Sequence, residues 1–111
     1  IAIIIILYCL EVIMIGDNIV KAINEKRLLS VFYDGGERKI APCCYGNGSR
    51  GQKLLRCWQV SGFSQSGNVP AWKLMSVEKM QNINILDEGF TTPDGYNPAG
   101  DKAIPHVIAK I

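Results

Sequence analysis

The stretch from Lys53 to Met80 constrains this chain more than any other. Two runs rich in apolar, aromatic and branched residues, KLLRCWQVSG and WKLMSVEKM, flank a polar loop of Gly, Ser, Asn and Pro. That is the pattern of paired strands. Basic residues are set inside the runs, at Lys53, Arg56, Lys73 and Lys79. No Asp or Glu occurs between Glu37 and Glu78, whereas Arg38, Lys39, Arg50, Lys53, Arg56 and Lys73 all fall in that window. A half-buried sheet carrying cations and an indole without a carboxylate suits an anionic ligand.

A chain of 111 residues supports one domain with a core that stands without staples. Its formal charge of +2 is too small for bulk attraction to nucleic acid, so any electrostatic argument rests on where the charges sit. Cysteines 9, 43, 44 and 57 form no disulfide framework, and the adjacent pair Cys43–Cys44 is too strained to bridge. Neither a CxxC nor a HxxxH spacing occurs, and His106 is the one histidine. Reduced thiols in a cytoplasmic protein without metal or cofactor are expected.

The opening IAIIIILYCLEVIMI is too short for a membrane span, which needs roughly 20 apolar residues, and Glu11 interrupts it. It lacks the basic start and small-residue cleavage site of a signal peptide. Two readings remain: an extra β-strand, which the isoleucines favour, or a translated leader, residues 1–13, ahead of a natural start at Met14. Leu10 to Met14 can be encoded by TTG GAG GTA ATT ATG, which places GGAGG just upstream of an ATG, as at a bacterial ribosome-binding site. Without Glu11 the 10 acidic residues drop by one against 12 basic ones, and the charge becomes +3.

From Met14 onward the pattern is mainly β. Ile19, Val20, Ala22 and Ile23 mark one face of a helix over 17–27, with Asp17 placed to cap it. Strands are expected at 28–33, 37–41, 53–60, 71–77 and 80–86, with a last edge strand over 104–111. Asp34-Gly35-Gly36 is a hairpin turn, and Pro42 is expected to end the second strand or to mark an edge. YGNGSRGQ contains a literal GxGxxG, but a strand-like run follows it where a dinucleotide fold needs a helix; it reads as a surface loop. Alternation places Leu54, Arg56, Trp58 and Val60 on one face of the third strand and Lys53, Leu55, Cys57 and Gln59 on the other. Arg56 either grips a phosphate or stacks on a base beside Trp58, or it snorkels past apolar neighbours to solvent. Many short strands with one helix argue for an α+β fold built as a small β-barrel of about five strands.

The ordered series NIVKAINEKRLLSVFYDGG with Tyr33, then Arg38, Pro42, LLRCW and WKLMSVEKMQNINILDEGF resembles the WYL domain of bacterial and phage proteins over residues 17–90. The resemblance implies an SH3-like or Sm-like barrel over 14–90, followed by a turn-rich C-terminal extension over 91–111. It also implies a regulatory module that senses a ligand or binds nucleic acid. The chain departs from that family at three places. The Trp-Tyr-Leu triplet corresponds to Lys53-Leu54-Leu55. The two arginines of the Phe-Arg-Leu-Asp-Arg-Ile run correspond to Ser76 and Lys79. No helix-turn-helix is present.

Enzymatic chemistry is not expected. Asp87 and Glu88 are adjacent at a strand end and point apart, and nothing brings His106 to a cysteine. The favoured reading is a module for a nucleotide or single-stranded nucleic acid, with Arg50, Lys53, Arg56, Lys73 and Lys79 supplying charge and Trp58, Trp72 and Tyr45 supplying stacking surfaces. The alternative is a protein-interaction or homo-oligomeric assembly module working through an edge strand, with the cations as a solvated rim. For the leader, the coding DNA decides: Glu11-Val12 should read GAG-GT, and any other codons there remove the idea.

Overall fold

A computed structural model describes residues 1–111: one helix followed by six antiparallel strands. Helix α1 runs Ala2–Glu25. The strands are β1 (Arg27–Tyr33), β2 (Gly36–Asn47), β3 (Lys53–Gly62), β4 (Ala71–Ser76), β5 (Met80–Gly89) and β6 (His106–Lys110), with a one-turn 3-10 helix, Val77–Lys79, between β4 and β5. The sheet order is β4-β3-β2-β1-β5, and β6 pairs with β2.

Helix α1 buries Ile15, Gly16, Ile19, Ala22 and Ile23, a stripe with the spacing of one helical face. Gly16, costly inside a helix, is required by contact: a Cβ there would overlap the Tyr45 hydroxyl. Lys26 stops the helix in a left-handed conformation and donates its N–H to Ala22 and Ile23 carbonyls. The helix therefore starts well before the expected 17–27, and Asp17 lies inside it rather than at its cap. The opening stretch adds no strand. A lone strand would leave its backbone groups without partners, whereas a helix satisfies them internally. Ile3, Ile5, Ile6, Leu7, Ile13 and Met14 are all more than half exposed. By length and composition α1 could cross a membrane.

The strands form where the branched and aromatic runs predict them. The β1–β2 hairpin turns on Asp34 and Gly35, both at positive φ, with Tyr33 opposite Gly36. This is the two-residue turn that an Asp-Gly pair favours. Pro42 does not end β2, which runs through to Asn47. Its missing N–H falls at a break in pairing: β1 is opposite β2 up to Ile40, β6 takes over from Cys44, and the β2–β3 register shifts between Pro42 and Cys44. The GxGxxG segment is a tight hairpin between β2 and β3, closed by hydrogen bonds from Gly48 N–H to Gln52 O and from Gly51 N–H to Gly48 O. Gly46 lets β6 approach, since a Cβ there would strike the His106 carbonyl.

The sheet cannot be flat. Strands β4 and β5 lie at its two ends, about 19 Å apart across four interstrand gaps. The chain from Ser76 to Met80 reaches at most about 14 Å. The sheet must curl, and the Tyr33 hydroxyl, accepting from the Ser76 N–H at 3.1 Å, ties the end of β1 to the end of β4. The curl stops short of a closed barrel, for β4 and β5 share no ladder. Met75 and Met80, from opposite edges, meet in one cluster with Leu29, Val31, Ile40, Tyr45, Leu55, Cys57 and the helix stripe. The core is therefore the concave side.

Arg38 is buried against the turn. Its guanidinium carbon lies 5.1 Å from the Tyr33 ring centre and 5.6 Å from that of Phe63. It donates to the carbonyls of Tyr33 (3.0 Å) and Asp34 (3.3 Å) and to Gln59 Oε1 (3.4 Å). Leu55→Ala should cost about 2–5 kcal/mol, and Leu74→Ala on the outer face under about 1 kcal/mol, compared by urea unfolding. The reverse order would contradict the assignment of the concave side as core.

Candidate functional site

Alternation on β3 turns Leu55, Cys57 and Gln59 inward, where all three are buried, and Leu54, Arg56, Trp58 and Val60 outward. Across the ladder Arg56 opposes Leu74 and Trp58 opposes Trp72. The two indoles meet edge to face, with centres 5.4 Å apart and planes at 70°. Both are half-buried. The convex side of the sheet thus carries a stripe of guanidinium and indole.

Residues 91–105 fold back over this stripe as a strap. Asp101 accepts from Arg56 Nε at 2.7 Å and from Nη2 at 3.3 Å. The Trp72 indole N–H donates to the Asp94 carbonyl at 3.1 Å. Gly95 sits against the same ring at positive φ, where a side chain would be strained and crowd the indole nitrogen. Two openings flank the crossing. One, of about 320 Å³, is lined by Arg56, Trp72, Tyr96, Asp101, Lys102 and Lys110, with Cys44 also on its wall. The other, about 630 Å³ and wide, includes Leu28, Trp58, Val60, Phe90 and Pro93.

The smaller cleft holds three cationic side chains against one carboxylate. Its hydrogen bonds fix the walls: the Tyr96 hydroxyl donates to Ile111 O and Lys110 Nζ to Pro98 O, both at 3.1 Å. The Arg56 hydrogen bond holds the Asp101 carboxyl below its ordinary range, and Asp101 in turn raises Arg56. Burial pushes the Cys44 thiol up, with the Asp101 charge adding to it, and pushes Cys43 up to about 12. These thiols are poor nucleophiles.

Of the residues expected to bind a ligand, the fold brings together only Arg56 and Trp58, with Trp72. Tyr45 is no stacking surface. It opposes Leu55 on the core side and is packed under Gly16. Lys53 starts β3 and donates to Asn47 Oδ1 at 3.0 Å. Lys73 opposes Cys57, on the side of β4 away from the indoles, and its Nζ donates to Ser64 and Ser66 hydroxyls at 3.2 and 3.3 Å. Arg50 is exposed in the β2–β3 turn, and Lys79 in the 3-10 helix. The cations and stacking rings expected to serve one ligand are thus divided: Arg56 and the two indoles form a convex stripe, and Arg50, Lys53, Lys73 and Lys79 lie elsewhere. Asp101, Tyr96, Lys102 and Lys110 escaped sequence reasoning. Asp101 lies 45 residues from Arg56 in a turn-rich segment without periodicity. Comparison with family models, curated proteins and solved structures finds no match to this chain.

The pair has a definite pH signature. Because Asp101 is held low in the folded chain, its contribution is complete above the ordinary carboxylate pKa of about 3.9 and is lost as pH falls through the lower folded value. Asp101→Asn should cost about 0.5–1 kcal/mol at pH 7, with the difference in urea midpoint from wild type shrinking below about pH 4. A difference unchanged in acid would mean that the pairing carries no charge-dependent stability.

Proposed function

We propose that this chain is a non-enzymatic, WYL-like binding module for a nucleotide or a single-stranded nucleic acid. The observation that carries the reading is the convex stripe of Arg56, Trp58 and Trp72, bordered by Lys102 and Lys110. A guanidinium grips phosphate bidentately, an indole offers a face to any base, and added lysines supply attraction without sequence preference. The smaller cleft, at about 320 Å³, is of the size that takes one nucleotide unit rather than a folded nucleic acid. The SH3-like architecture is supported by the strand order, with its two ends joined through one 3-10 turn, which is the connectivity of a five-stranded barrel left partly open.

A second reading, assembly through apolar surface, is favoured by the exposed Ile3–Met14 side of α1 and by Val107 and Ile108 on edge strand β6. Tryptophan fluorescence titrated with a short oligothymidylate separates the two. Binding should quench the indoles, weaken steeply as salt rises, and lose about 1–3 kcal/mol in Arg56→Ala. Salt-independent or absent binding, with a molecular mass by light scattering that rises with concentration, would favour assembly.

A further inference from the structure

The strap is built differently from the rest of the chain. The backbone hydrogen bonds made within it close only local turns: Tyr96 N–H to Pro93 O, Gly100 N–H to Asn97 O and Ile104 N–H to Asp101 O. None reaches the sheet. Between residues 91 and 105 only Ile104 is fully buried. Segments with little apolar burial and no ladder are the ones that open at low cost. Its position over the outer face therefore rests largely on side-chain ties, of which the Arg56–Asp101 pair is the one between opposite charges.

Asp101 also stands where a ligand must go. It takes the Nε and Nη2 edge of Arg56 with two oxygens, as a phosphate does, and it is the one carboxylate lining the cleft. The strap crosses at Trp72, through Asp94 and Gly95, and so divides the Arg56–Trp58–Trp72 stripe between two openings.

We infer that Asp101 is a built-in competitor for the anion site and that the strap is a cover which a nucleic-acid phosphate displaces. This inference rests on the binding reading above and adds its regulation. When phosphate takes Arg56, Asp101 is released, residues 91–103 lift, and the two clefts join into one track that exposes both indoles to successive bases. With the strap down the module holds at most a single nucleotide unit.

The test uses the full chain and a short fluorescein-labelled oligothymidylate. Asp101→Asn keeps the shape of the side chain but removes its charge, and should bind roughly fivefold more tightly than wild type, the factor gained when a part-buried ion pair no longer competes. In the wild type, which needs no variant to fold, adding the oligonucleotide should speed amide hydrogen exchange at Ala103 and Ile104 while β3 stays protected. Unchanged or weaker binding by Asp101→Asn, with unchanged strap exchange and with Arg56→Ala still losing affinity, would overturn the cover and leave the binding site standing. Absence of oligonucleotide binding in both wild type and Asp101→Asn would overturn the binding reading and the cover together.

Discussion

The three residues between β4 and β5 govern this structure. They join the two ends of a five-strand path, so the sheet has to roll until those ends are within reach of one short turn. Rolling gives the sheet two unlike sides. The concave one gathers side chains from both edges and takes helix α1 against them. On the convex one, strand alternation leaves Arg56, Trp58 and Trp72 pointing outward. Strand β2 accommodates the roll by changing partners midway, from β1 to β6, with Pro42 at the change.

Two arginines show how differently the chain handles cations. Arg38 is enclosed by two aromatic rings, two carbonyls and Gln59, all neutral groups that satisfy its N–H donors without offering a place to an incoming anion. Removing those partners would strand a buried charge, which is costly. Arg56 has as its partner instead a carboxylate on the turn-rich strap. One anion can replace another there with little net change in charge pairing, and Lys102 and Lys110 add attraction at the same opening. The first arrangement holds a hairpin; the second is suited to exchange.

Much of the fold was legible because it is local. The Asp34-Gly35 turn, the alternation along Lys53–Val60 and the six strand positions follow from residue type and period within a few residues. The site was legible only where it is carried on one strand: Arg56 and Trp58 share a face because they are two residues apart. Lys53 and Lys73 were read as part of the same patch, yet Lys53 holds an amide oxygen at the start of β3 and Lys73 turns to the other side of β4, where it holds loop hydroxyls. Tyr45 looked like loop and is core, since β2 continues past Pro42 to form a ladder with β6, a pairing with no local signal. Asp101 was invisible for the same reason. The isoleucine run favoured a strand by propensity, but a helix satisfies its backbone without a neighbour and extends α1 instead.

The central claim is that the convex face, and not the core side or the strand ends, receives the ligand. Nitrogen-proton NMR resolves the indole N–H groups of Trp58 and Trp72 and the Arg56 Nε–H as separate probes of that face. Titration with a short oligothymidylate should shift all three together and leave the Lys53 and Lys79 amides in place. Shifts confined to those lysine positions, or no shift anywhere, would contradict it.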